Sequence, residues 1–240
     1  GSSLTAVNCI LQATSGLTIS SGRSELEGCD CIGSGSFKLG QSSGCTVSEK
    51  GILIARQCGF SVGFTDDVGR STGLSVLSGG QAVLHGCDAM QDLARGFMVS
   101  GSGTKLVAHN CRVRGTTQHA NFARGAVVNL VDCKISGVSK CRTYVGGSGT
   151  VMSARGCDLS GNVCSNMSVA EGASAKMNAC VLNKSKKGHS CQIDGVHSML
   201  TAVRCSFSGN ALSGVGVYQG SSAGLKGCKL NKNQIGVDVG

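Results

Sequence analysis

The sequence predicts an all-β protein, a single-stranded parallel β-helix of about ten coils with three short strands in each coil. Two observations carry this prediction: cysteines recur at a nearly constant interval, and apolar residues stand at fixed positions on both sides of each cysteine. The last six intervals between these cysteines are 22 to 25 residues long. The recurring positions are Cys9, Cys29, Cys58, Cys87, Cys111, Cys133, Cys157, Cys180, Cys205 and Cys228.

The first two strands of each coil flank the recurring cysteine. Apolar residues dominate the positions five and three before it and two after it, whereas the residues between them are mostly polar. This alternation with a period of two predicts half-buried strands. It is clearest three residues before the cysteine, where the chain carries Ala6, Leu26, Ala55, Leu84, Ala108, Leu130, Ala154, Met177, Ala202 and Leu225.

The alternation breaks at the residue just before each cysteine, which predicts a bend between the two strands. Seven of the ten residues there are glycine, asparagine or aspartate, the types that best tolerate a left-handed backbone. The ten are Asn8, Gly28, Gln57, Gly86, Asn110, Asp132, Gly156, Ala179, Arg204 and Gly227.

A third strand, usually introduced by glycine, completes each coil. The sequence predicts it at 17–19, 37–39, 74–76, 97–99, 215–217 and 237–239. Its expected outward residues, which include Lys38, Asn121 and Thr143, are too varied for a repeated threonine surface of the ice-binding type. A leucine-rich repeat shares the period, but its regular leucine frame and helical return segment are absent from the sequence.

The unit seen in SAGLKGCKLNKNQIGVDV and LTAVRCSFSGNALSGVGV resembles the parallel β-helix repeat of the pectin-lyase-like superfamily, of its carbohydrate-binding and sugar-hydrolase type. The resemblance covers essentially the whole chain, so we expect a single domain over 1–240, as a segment of a larger protein or assembly. It implies a right-handed coil, in agreement with the general preference of parallel crossovers. Because the superfamily includes lyases, hydrolases, epimerases, adhesins and non-catalytic interaction modules, the resemblance predicts the fold and not the function.

The composition narrows the range of partners. No stretch approaches the ~18 apolar residues of a membrane helix, so no membrane span is expected. The net charge of +9 suits an acidic partner, either an anionic polysaccharide or an acidic protein surface. Nucleic acid is disfavoured, because six phenylalanines and two tyrosines offer few rings for stacking on bases.

The recurring cysteines are expected to form a buried ladder of free thiols. Stacked neighbours would stand about one strand spacing apart, ~4.8 Å, which exceeds the ~3.8 Å between Cβ atoms that a disulfide favours. The chain has 15 cysteines, and an odd number leaves at least one unpaired, which favours a reducing, intracellular compartment. Two N-glycosylation triplets, at Asn166 and Asn183, argue against that compartment.

Two outward columns beside the cysteine bring together the densest set of polar side chains, on the third to seventh coils. Their basic members could bind the carboxylates of an anionic glycan, and a histidine or aspartate could act as a general base. The alternative is a solvated face whose charges pair between coils, Asp88 with Arg112 and Lys134 with Asp158. This set, the polar stripe, consists of Arg56, His85, Asp88, His109, Arg112, Lys134, Arg155 and Asp158.

Two insertions interrupt the regular coils, near 40–51 and near 61–70. The second contains Asp66 and Asp67, a candidate loop site, since adjacent aspartates resemble the acidic pairs of polygalacturonases and the calcium ligands of pectate lyases. The companion motifs of polygalacturonases are missing, so a turn is the simpler interpretation. No cofactor or metal site is predicted, because the two histidines that line up in a column, His85 and His109, have no evident third ligand.

These observations favour a non-catalytic β-helix that serves as a scaffold or binding module within a larger protein or complex. The alternative is a carbohydrate-active enzyme, a polysaccharide lyase, glycoside hydrolase or epimerase, that acts on an acidic glycan. No catalytic residue is assigned. Neither end of the sequence shows an amphipathic capping helix, so we expect a protein partner or a flanking domain to cover the ends of the solenoid.

Overall fold

The computed structural model describes residues 2–13, 16–34, 42–63, 71–89, 95–114, 118–136 and 143–240. The named elements in these residues are all strands, arranged in three parallel sheets. The chain passes through sheet 1, sheet 2 and sheet 3 in turn and then begins the next coil, so each strand pairs with its counterpart one coil away. None of the described residues forms a helix that could span a membrane.

Sheet 1 has ten strands, one for each coil. It therefore spans about nine complete turns, slightly fewer than the ten coils that the sequence predicts. Its strands are Ser3–Val7, Arg23–Glu27, Ile52–Arg56, Gln81–His85, Lys105–His109, Val127–Val131, Val151–Arg155, Ser174–Asn178, Met199–Val203 and Ser222–Lys226.

Sheets 2 and 3 complete each coil. Sheet 2 has six strands and continues through single bridges that join Lys134, Asp158, Val181, Ser206 and Lys229 in register. Its strands are Ile10–Ala13, Asp30–Gly33, Gly59–Val62, Asp88–Ala89, Arg112–Val113 and Lys134–Ile135. The ten strands of sheet 3 are Leu17–Ile19, Ser43–Val47, Thr72–Leu77, Arg95–Ser100, Gln118–Ala123, Thr143–Gly146, Met167–Ala170, Cys191–Asp194, Ser213–Tyr218 and Ile235–Val239.

The predicted bend between sheets 1 and 2 is present in every coil. All ten residues that precede the recurring cysteines have a positive φ, between 51° and 65°. At this angle a side chain is disfavoured, which explains the preference for glycine, asparagine and aspartate. Gln57, Ala179 and Arg204 adopt the same conformation without those residue types.

The core confirms the predicted thiol ladder. The recurring cysteines from Cys29 to Cys205 are at most 2% exposed, and all cysteines among the described residues are free. Each thiol can donate to a backbone carbonyl, as Cys133 does to Val131 at 3.4 Å. Inward leucine, alanine, valine and four phenylalanine side chains complete the core, with Phe60, Phe97, Phe122 and Phe207 fully buried.

Sheet 3 differs from the prediction at two places. The third strand of the second coil is Ser43–Val47, whereas the predicted residues 37–39 lie outside the described part of the chain. Cys45 and Val47 pair with Leu17 and Ile19 and face the core, so part of the predicted insertion at 40–51 belongs to the regular coil. Thr143 is fully buried instead of outward, because Val145, two residues later, is the next core residue of that strand.

Asparagine side chains form a second internal ladder in the last coils. Asn166 is fully buried, and its side-chain nitrogen donates to the carbonyl of Asn183 at 3.1 Å. The side-chain oxygen of Asn183 accepts from the Ser206 hydroxyl at 3.0 Å and from the Ser208 backbone. The side-chain nitrogen of Asn166 is thus buried and bonded, so this asparagine is a poor glycosylation acceptor in the folded protein.

Candidate functional site

The structure places the polar stripe on the outside of the bend between sheets 1 and 2. Its members occupy consecutive strands of the two sheets, from Arg56 on the third coil to Asp158 on the seventh. Most of its basic side chains are exposed, whereas Asp88, His109 and Asp158 are half-buried.

The charges of the polar stripe pair in part as expected. Lys134 lies 3.8 Å from the Asp158 carboxylate, as predicted. Asp88 pairs instead with Arg114, at 3.4 Å, although Arg112 is its register partner in sheet 2. The prediction of an Asp88–Arg112 pair is therefore wrong: Arg114, two residues further along the chain, pairs with the carboxylate.

Two further features of the polar stripe bear on binding. The rings of His85 and His109 stack with centroids 5.0 Å apart and an angle of 9° between their planes. The described residues provide no ion pair for Arg56, Arg112 or Arg155. These three guanidinium groups stand on alternate coils and can bind an external anion.

A cleft of about 580 Å³ lies on the outer face of sheet 3, and we call it the sheet 3 groove. Met98, Asn121 and Tyr144, which are neighbours in the sheet, form its floor. Arg95 stands at the strand start, and Arg124 and Glu171 stand in the turns that lead to sheet 1. The remaining lining residues are Leu77, Ser78, Ser100, Gly101, Ala123, Gly146 and Gly147.

Two features of the floor of the sheet 3 groove bear on ligand binding. The ring of Tyr144 occupies the space where a side chain at Gly146 would stand, so this glycine lets the ring lie flat against the sheet. The side-chain oxygen of Asn121 is buried and has no hydrogen-bond partner among the described residues. An unsatisfied buried acceptor is costly, and a ligand that donates to it would remove that cost.

A polar cluster occupies the same outer face nearer the C-terminus. The Tyr218 hydroxyl donates to the Asp238 carboxylate at 2.5 Å, and His189 meets the Tyr218 ring edge-on at 5.8 Å. Asp194 is the register neighbour of Tyr218, and its Oδ1 is buried without a partner among the described residues. Desolvation and the hydrogen bond to Asp238 raise the pKa of Tyr218 to about 12, so the phenol stays neutral and donates at physiological pH.

Sequence reasoning missed both tyrosines. Tyr218 ends a strand in which the sequence does show alternating inward and outward residues, with Val215 and Val217 facing the core. The sequence predicts Thr143 as the outward residue of its strand, one residue out of phase with the structure, and therefore does not identify Tyr144. The other candidate pair, Asp66 and Asp67, lies outside the described residues.

A protein family described as right handed beta helix region matches residues 1–159. The chain belongs to this family. The match agrees with the predicted handedness and with the resemblance to pectin-lyase-like repeats, so the protein is a right-handed parallel β-helix. No curated protein matches the sequence.

Two solved structures are similar to this right-handed β-helix over most of their length. The A-module of the Azotobacter vinelandii mannuronan C-5 epimerase AlgE6 is 10% identical, with 91% of this chain and 87% of that chain covered and a TM-score of 0.42. The plasmid-mediated fluoroquinolone resistance protein QnrB1 is 15% identical, with 92% of each chain covered and a TM-score of 0.38.

Proposed function

We propose that this β-helix is a non-catalytic module that binds an extended acidic glycan along the outer face of sheet 3. The observation that carries the proposal is the sheet 3 groove, where one aromatic ring and two arginines line a cleft of about 580 Å³. Small-ligand sites generally have volumes of roughly 300–1,000 Å³. A sugar ring would stack on Tyr144, and the carboxylate of a uronate would accept hydrogen bonds from Arg95 or Arg124.

The proposed ligand is a polymer because the binding face is long. Ala123, Gly146 and Ala170 follow one another in the sheet and leave a shallow path from the sheet 3 groove towards Tyr218. Tyr144 and Tyr218 stand three strands apart, about 14 Å at one strand spacing of ~4.8 Å per coil. Several consecutive sugar units would therefore contact the same face.

Calorimetric titration with oligogalacturonate and alginate oligosaccharides tests this proposal. We expect Tyr144→Ala and Arg95→Gln each to weaken binding about tenfold, which corresponds to ~1.4 kcal/mol. Tyr144→Phe, which keeps the ring, should retain most of the affinity. Lys229→Gln removes one exposed positive charge from sheet 2 and is the matched control for Arg95→Gln. Equal affinity of the wild type and Tyr144→Ala for both oligosaccharides would contradict the proposal.

A carbohydrate-active enzyme is the second candidate function, and the polar cluster around Tyr218 favours it. Two carboxylates, a histidine and a neutral phenol on one face are the groups that general acid–base chemistry uses. The same titrations distinguish the candidates if the oligosaccharides are analysed afterwards for cleavage or epimerisation. Products formed by the wild type and lost in Tyr218→Phe would favour the enzyme, whereas unchanged oligosaccharides would favour the binding module.

A further inference from the structure

We propose that the outer face of sheet 1, between the third and seventh coils, docks an acidic protein that presents aliphatic side chains. This surface, the sheet 1 face, lies on a different sheet from the sheet 3 groove and does not depend on glycan binding. Its outward aliphatic residues are Ile52, Ile54, Val83, Val107, Val127, Val131 and Val151.

The centre of the sheet 1 face is a contiguous aliphatic row that ends at Asn129, the register partner of Val107. Ile54, Val83 and Val107 are direct neighbours on three successive strands and are half-buried. Val127, on the following strand, is 45% exposed. A sheet face in water normally carries polar residues, and a contiguous apolar patch marks an interaction site. Nothing among the described residues covers this patch.

Charge decides what kind of partner fits. Six basic residues border or lie within the patch: Arg56, Lys105, Arg112, Arg114, Lys134 and Arg155. Five acidic residues border the patch or stand among them: Glu25, Glu27, Asp88, Asp132 and Asp158. Glu25 pairs with Arg23, Asp88 with Arg114 and Asp158 with Lys134, so four of the six basic residues stand against two unpaired carboxylates among the described residues. The uncompensated charge is positive, so complementarity requires an acidic partner. A second copy of this chain would bring like charges together across the same surface.

The aliphatic centre favours a protein over an acidic polysaccharide. A polyanion could bind the arginines of the polar stripe, but it would leave Ile54, Val83 and Val107 in contact with water. Protein interfaces combine an apolar centre with a charged rim, which is the arrangement on this face. The acidic groups of the partner would pair with Arg56 and Arg155, while its aliphatic side chains would cover the three central residues.

The probe is a fluorescently labelled helical peptide with one leucine stripe and glutamate at its other positions. At about 16 residues it would be ~24 Å long, enough to cross five strands that span ~19 Å. We expect the full 240-residue chain to bind it in an anisotropy titration. The triple variant Ile54→Thr/Val83→Thr/Val107→Thr should weaken binding at least tenfold, and so should Arg56→Gln/Arg155→Gln. Threonine keeps the branched shape that strands favour.

Controls show whether the peptide binds at the sheet 1 face and through its leucine stripe. Val181→Thr changes an exposed valine on sheet 2 and should bind like the wild type. A peptide with serine in place of leucine should bind at least tenfold more weakly. The single variant Val107→Thr, which is the least disruptive, should weaken binding measurably if the triple variant fails to fold.

Three outcomes would overturn the proposal. The first is an absence of binding at about 100 μM peptide, well above a micromolar dissociation constant. The second is full binding by the threonine variants with loss of binding in the arginine variants, together with displacement by heparin, which would identify a polyanion site. The third is self-association of the chain that the threonine variants abolish, which would identify a second copy as the partner.

Discussion

At the scale of single residues, the bend before each cysteine requires a left-handed backbone conformation, which few residue types adopt without strain. Gly156 and Ala179 occupy the same place in neighbouring coils, with φ values of 65° and 52°. A side chain in this conformation costs roughly 1–2 kcal/mol, which glycine avoids. Ala179 therefore carries a strain that Gly156 does not.

Exchanging glycine and alanine at these two bends should change stability in opposite directions. We expect Ala179→Gly to raise the free energy of unfolding by about 0.5–1 kcal/mol, since the relief of strain exceeds the added freedom of the unfolded chain. Gly156→Ala should lower it by about 1 kcal/mol or more, because the Asp132 side chain occupies the space of the new methyl group. Urea denaturation midpoints measure both effects, and a shift of the same sign in both variants would show that backbone strain does not govern these bends.

At the scale of the structural element, the thiol ladder is a chemically protected column. Cys31 and Cys45 lie outside the ladder, and burial raises the pKa of Cys31 to about 12 and that of Cys45 well above its usual value. Within the ladder, hydrogen bonds between neighbouring thiols raise the pKa of Cys111 and lower that of Cys133. Burial, which denies reagents access to the sulfur atoms, therefore protects the ladder thiols. Cys164 is exposed and outside the ladder. We therefore expect a cysteine to react quickly where its position in the coil exposes the sulfur, as at Cys164, and slowly where it faces the core.

Thiol titration of the native protein under reducing conditions tests this contrast. With Ellman's reagent at pH 8, Cys164→Ser should remove one rapidly reacting thiol, because the exposed sulfur is accessible to the reagent. Cys133→Ala, which removes a ladder thiol that is 1% exposed, should leave the rapid phase unchanged. Rapid reaction of the ladder thiols in folded protein would show that the column opens easily. The same titration in urea, where the protein is unfolded, gives the total number of free thiols.

At the scale of the whole molecule, the first and last coils expose large apolar side chains. Ile10 is 71% exposed and Val239 is 75% exposed. Both stand on strands whose outer neighbour is missing among the described residues, so their backbone edges are also open. We propose that a protein partner or a flanking domain covers these two surfaces.

The isolated 240-residue chain should therefore associate through its ends as its concentration rises. Light scattering coupled to size exclusion would detect the growth in mass. The double variant Ile10→Lys/Val239→Lys should reduce it, since lysine on an edge strand opposes pairing with another edge. A chain that stays monomeric and soluble at high concentration would disprove the need for caps.

The candidate sites were predicted less well than the fold. The members of the polar stripe are neighbours in two columns, because strand register follows from the cysteine spacing, and their role in binding stays a prediction. Its ion pairing was predicted only in part, since the choice of Arg114 over Arg112 depends on how far each side chain reaches across the sheet. The sheet 3 groove was missed, because the position of Tyr144 depends on the phase of a strand that has no cysteine to mark it.

The sequence by itself determined the solenoid, the bend before each cysteine and the burial of the thiols. These features repeat in every coil, so ten copies of a weak local signal reinforce one another. Only the tertiary structure decided that Tyr144 lies over Gly146 beside Arg95 and Arg124, and that valines from successive coils form one face. Such surfaces arise where residues about one coil apart in sequence become neighbours in space, and no repeated pattern marks them.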